Sequence, residues 1–194
     1  MVRLGGALLV IAGLFAAGAA CADDANFAAF HRICVATGGV RAAALAAAEA
    51  DGLVEPPKSI SDQITQSAIP LTNETVRARL IKDGIVWAAV GQLGGLFENH
   101  YSATDMCVLG VNPMSPESEK AAIAWGAVAP AVTDPQYQML FFTGGEGAHR
   151  AVPKAQVDTP SAVAGGASLQ LLGAGHTDGM TLMLYGVMKA VPTP

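Results

Sequence analysis

Arg3 stands before an unbroken apolar run from Leu4 to Ala20, which closes on small residues and is followed by Asp23-Asp24. A charged start, a short apolar stretch and a small-residue end mark an export signal. The segment constrains the fold twice: it is removed before the rest folds, and it sends the rest to a compartment where thiols oxidise. Ala20-Cys21-Ala22 suits cleavage before Asp23, which leaves Cys34 and Cys107 as the cysteines of the mature chain and makes them the expected disulfide pair. Two other endings stay open. A cut after Ala20 would place Cys21 at the new terminus as a lipid-bearing residue, although Gly18 stands where such signals carry an aliphatic side chain. Retention as an anchor is the other, against which Gly5, Gly6, Gly13 and Gly18 interrupt the run.

Taking 22 residues from 194 leaves 172, read as one domain over residues 23–194. Losing Arg3 takes the formal net charge from −5 to −6, and no run of Lys or Arg follows, so nucleic acid is excluded as a partner. Apolar runs beyond Asp23 are cut by charges or turn residues before they reach spanning length, so no membrane segment is expected in the mature chain.

The mature chain starts helical and continues in strands. Asn26 is placed to cap a helix whose Phe27, Phe30 and Cys34 share one face, and Gly38-Gly39 stops it. Val40 to Ala50 reads as a second helix ended by Gly52, so the two form a helical hairpin. Glu55 to Asn73, with three prolines and many polar residues, reads as a surface connection with a helical turn near Ser61. Thr75 to Leu93 alternates on both sides of Asp83-Gly84 and reads as a β-hairpin, its second strand broken at Gly91. Met106 to Val111 is a strand carrying Cys107. Ser115, Pro116, Glu117 and Glu119 then open a helix running to about Val128, with Ile123 and Ala127 inward. Gln136 to Thr143, Ser168 to Leu172 and Met180 to Met188 read as strands, the last two joined through Gly175-His176-Thr177-Asp178-Gly179. The order implies an α+β domain: an N-terminal helical hairpin, then a mainly antiparallel sheet with one further helix, all helices on one face. No glycine fingerprint joins a strand to a helix, and no cofactor is expected; Gly144-Gly145-Glu146-Gly147 reads as a loop.

Side chains with chemistry are few. Cys34 lies one helical turn from His31 and next to Arg32's neighbourhood, a setting that suits a reactive thiol, but its place on the stripe of Phe27 and Phe30 favours a structural bond. That bond would clip helix to strand at about 4 kcal/mol in the chain-entropy model. His100, His149 and His176 fall in or beside loops with Glu98, Asp105, Glu146 and Asp178 nearby, a composition able to build a metal site or a His–carboxylate pair, yet no spacing fixes their convergence. Ser102, Ser161 and Ser168 lack a nucleophile elbow. Arg77 and Arg79 share a strand face, read as solvated rather than anion-binding. Trp87, Trp125, Tyr101 and Tyr137 read as core, and Met180, Met183 and Met188 as core that would allow an adaptable groove.

The segment Phe30-His31-Arg32-Ile33-Cys34-Val35-Ala36-Thr37-Gly38-Gly39, with Asp105-Met106-Cys107-Val108 later, resembles small exported bacterial proteins of unknown function that carry a Cys-x-x-Thr-x-Gly segment near the N-terminus. The resemblance covers about a third of the chain. It implies export and pairing of Cys34 with Cys107, and it transfers no catalytic residue. The expectation is a periplasmic or secreted, non-catalytic domain that binds a protein partner or small ligand. The alternative is a small hydrolase or metal enzyme using His100, His149 and His176.

Overall fold

The computed structural model describes residues 24–67, 69, 71–93, 101–102, 105–157 and 168–190. The expected signal, its cleavage positions and Cys21 lie outside the described residues, as do Glu98, His100 and Ser161.

Helix α1 (Ala25–Phe30) is capped by Asp24 rather than Asn26. Asp24 Oδ1 accepts the Phe27 N–H at 2.7 Å and also the buried Ser118 hydroxyl at 2.8 Å. A carboxylate there meets the helix's positive end as well as its orphan donor, which an amide does less well. The chain passes directly into a π-helical turn, His31–Val35, where the Ala36 N–H reaches back to His31 O at 2.8 Å. Gly38 and Gly39, at φ 65° and 71°, end it in a conformation that disfavours side chains. Helix α2 (Arg41–Ala50) follows; Ala44 and Ala48, fully buried and one turn apart, let it lie close on the sheet.

The segment read as a surface connection holds a full helix instead, α3 (Lys58–Ser67). Pro57 O accepts its first bonds from Ile60 and Ser61, Lys58 pairs with Asp62 at 2.7 Å, and Ile60 and Ile64 share its inward face. Pro56 and Pro57 fall before the helix, where they cost nothing.

The strands are β1 (Leu71–Ile81), β2 (Gly84–Leu93), β3 (Tyr101–Ser102), β4 (Asp105–Asn112), β5 (Val132–Thr133), β6 (Tyr137–Thr143), β7 (Arg150–Ala151), β8 (Leu169–Thr177) and β9 (Met180–Ala190). Helix α4 (Pro116–Gly126) lies between β4 and β5, and the short α5 (Lys154–Val157) between β7 and β8. They form one sheet in the order β1-β2-β4-β9-β8-β6-β5, with β3 beside β9 and β7 beside β6, every pairing antiparallel. The α+β class is therefore correct. Gly91 stays within β2, opposite Met106, so that strand is unbroken. The last hairpin turns at Asp178-Gly179 alone, with His176 and Thr177 still paired in β8.

Both faces of the sheet are buried, which explains the near-continuous apolar sequences of β2 and β4. Val86, Ala88 and Val90 with Cys107, Leu109 and Val111 face α1, α2 and α4. Trp87 and Ala89 with Met106 and Val108 face the other way, into a second core that Ile64 of α3 and Val157 of α5 join. The expectation of one further helix, with all helices on one face, is thus corrected. Helix α4 also ends earlier than expected: Ala127 is its left-handed C-cap at φ 52° and is exposed, while Ser118, Ala122 and Gly126 form the buried face. Ser115 occupies the cap position, but its hydroxyl meets Ser118 Oγ at 2.7 Å instead of a helix N–H.

In the second core large side chains lie over glycines directly across the ladder. Trp87 faces Gly110, Met106 faces Gly186 and Leu184 faces Gly173. A Cβ on Gly110 would stand 2.0 Å from Trp87 Cε2, so the glycine supplies the room in which the indole lies. Among the described residues, no helix is long and apolar enough to cross a membrane.

Candidate functional site

Cys34 and Cys107 form a disulfide with Cα atoms 5.3 Å apart, both sulfur-bearing residues fully buried. The bond pins the π-helical turn to β4, an interior strand of the sheet. His31, one turn before Cys34, is thereby held beside the C-terminal end of α4. There it meets Trp125 edge-on, with ring centroids 5.6 Å apart and planes at 74°.

Trp125 is the centre of a set of rings. His149 stands 4.8 Å away at 65° and Tyr185 6.3 Å away at 78°. His149 Nδ1–H donates to the Gly126 carbonyl at 2.9 Å, one of the orphan carbonyls at the end of α4. With Nδ1 so occupied, the neutral ring carries its free lone pair on Nε2. Glu146, in the Gly144–Gly147 loop, accepts the Trp125 indole N–H at 3.3 Å. His31 Nε2 comes within 3.4 Å of the same carboxylate oxygen, yet its direction makes no hydrogen bond, so this buried nitrogen has a charge neighbour without a bonded partner.

Gln170 of β8 joins the loop to the sheet. Its amide nitrogen donates to the Gly144 carbonyl, and its amide oxygen accepts the Tyr185 hydroxyl at 2.7 Å. Burial pushes the Tyr185 phenol up to about 12, so it remains a donor at neutral pH. The sign of the resulting pH dependence follows from the unfolded phenol, which ionises near 10. Between pH 10 and 12 the unfolded chain loses this proton first, so stability falls as pH rises through that window. Tyr185→Phe is expected to flatten this loss in urea titrations at pH 9 and pH 11; an unchanged slope would show that the phenol is not the group responsible.

These groups enclose a cavity of about 320 Å³, lined also by Val35, Ala36 and Val187. The size is that of small-molecule pockets, and six polar or aromatic side chains reach it from the π turn, α4, the loop before β7, β8, and β9. The loop is followed by strand β7 rather than a helix.

The sequence candidates separate. His149 and Glu146 belong to the cavity, whereas His176 pairs with Glu119 at 3.2 Å near the other end of α4. The contacts at Glu119 and Gly126 are seven residues apart on α4, about 10 Å of helix rise, so His149 and His176 do not converge. Asp105 binds Arg41 and Asp178 lies in the β8–β9 turn. Among the described residues, no group of three or more His, Cys, Asp or Glu side chains is placed to hold a metal ion. Arg77 and Arg79 lie on the polar, partly exposed face of β1, where Arg77 Nε donates to Glu49 at 3.0 Å and Arg79 donates to the Asp51 carbonyl at 2.6 Å, tying β1 to the end of α2. Trp87 is core as read; Trp125 instead lines the cavity. Met183 and Met188 fall in opposite cores, so they form no common groove. Sequence reasoning did not select His31, Gln170 or Tyr185. His31 carried a signal, its helical spacing from Cys34, while the other two sit in strands of ordinary core pattern. No protein-family model, curated protein or solved structure matches the chain.

Proposed function

We propose that the chain is an exported, non-catalytic domain that binds a small ligand in the cavity around Trp125. One observation carries this reading: side chains from five separate elements converge on a cavity of about 320 Å³. His31 Nε2 is a buried imidazole nitrogen with no hydrogen-bonded partner, beside the Glu146 carboxylate at 3.4 Å. In this reading α1, the π turn and α2 act as one hairpin whose job is to hold His31 against α4, with the disulfide as its clip. A second cleft of the same volume, on the other face, is walled mainly by apolar side chains such as Met139, Leu182 and Leu184, with Gln136, Gln138, His176 and Thr177 also lining it.

The test is a fragment screen followed by two-dimensional NMR of the imidazole and indole signals. Fragments are expected to move His31, His149 and Trp125 together, and His31→Ala with Trp125→Leu to remove the effect. Fragments that bind without moving these signals would refute the site. Turnover of an ester or amide panel that disappears in His149→Ala would refute the non-catalytic reading.

A further inference from the structure

The occupant's charge can be read from the cavity wall. Among its lining residues there is no Lys or Arg, and the carboxylate of Glu146 is the one full charge when the histidines are neutral. Glu146 is 68% exposed, which places it at the rim, and it is oriented by the indole N–H. Of the cations nearby in sequence to lining residues, Arg32 is held by Asp51 at 2.8 Å, and Arg150 is exposed and does not line the cavity. Behind the carboxylate the walls are rings set nearly at right angles, Trp125 against His31, His149 and Tyr185, at interplanar angles of 65° to 78°. Perpendicular aromatic walls with an acid at the mouth are what an organic cation needs. The ring faces attract positive charge through their quadrupoles, Trp most strongly, and they do not demand that the cation keep hydrogen-bond partners. An anion would meet Glu146 and the ring faces with the wrong sign. A neutral apolar ligand would gain the contact area but nothing from the carboxylate.

We propose that this cavity takes a small organic cation of the alkylammonium or quaternary ammonium class, seated on Trp125 with its charge toward Glu146. The proposal rests on the reading of the cavity as a ligand site and adds the sign and chemistry of the ligand. A set of three probes of one shape separates the two: choline, its uncharged isostere 3,3-dimethylbutanol, and the anion 3,3-dimethylbutyrate, titrated by ligand-observed NMR against the full mature chain at low ionic strength. Choline is expected to bind about tenfold more tightly than the alcohol, the increment usual for a cation on a partly desolvated aromatic wall. Glu146→Gln, an exposed and isosteric change, should reduce the ratio of choline to alcohol affinity about threefold to tenfold. Trp125→Leu should remove binding of both, with circular dichroism showing whether the fold is retained; if it is not, the Glu146→Gln comparison alone decides. Equal binding of choline and alcohol, or tighter binding of the anion, overturns the cation assignment while leaving the cavity as a ligand site. Failure of every probe and every fragment to move the His31, His149 and Trp125 signals overturns both.

Discussion

Cys34→Ala is expected to lower the free energy of unfolding by about 2–5 kcal/mol, the usual cost of removing a native disulfide from a small oxidised domain. The bond joins the π-helical turn to β4, and both cysteines are fully buried. Its loss therefore frees the unfolded chain from a long loop constraint and also leaves a pocket in the core. For a domain of this size each kcal/mol moves Tm by about 2–4 °C, so calorimetry should show a drop of about 5–15 °C. The double variant Cys34→Ala/Cys107→Ala should cost little more than either single one, because both lesions remove the same bond. A single-variant cost under about 1 kcal/mol would mean that the bond adds nothing the packing of Phe27, Phe30 and Ile33 does not already supply.

Gly110→Ala is expected to be nearly as damaging, at about 3 kcal/mol, the upper end for overpacking a filled core. The added methyl would lie 2.0–2.4 Å from three atoms of the Trp87 indole, and Trp87 is fully buried in the second core. The ring has no open direction in which to move. Urea denaturation measures the cost, and Trp87→Leu in the same chain should recover much of it by removing the atoms the methyl meets. No recovery in that double variant would place the cost in the backbone of β4 instead.

The sequence makes visible those features whose causes are local. The start of α4 at Pro116, the turn between β1 and β2, and the strand character of β4 and β9 each follow from residues within a few positions. The disulfide was legible by elimination once export was assumed. Helix α3 was hidden because Pro56 and Pro57 were read as interruption, when they precede its first turn; Ile60 and Ile64, four apart, were the available signal. The second core was hidden for a different reason: alternation cannot reveal a sheet buried on both faces, since Trp87 and Ala88 are equally apolar and point opposite ways. The site was legible only in fragments. Glu146 and His149 were candidates, but they were grouped with His176, which α4 holds apart from them. His31 joins them from more than a hundred positions away through the placement of the π turn, and Gln170 and Tyr185 become polar partners only because β8 and β9 are neighbours.

Strand β9 comes last in chain order among the described residues, yet it lies near the middle of the sheet, between β4 and β8. The strands on its two sides, β2 with β4 and β6 with β8, cannot join until it arrives. The two halves of the sheet thus have nothing to close on until this strand is in place, and until then each presents an unpaired edge. Such a chain is slow to commit to its final shape. Its vulnerable interval is the one before the last strand is inserted, when aggregation and proteolysis compete with folding.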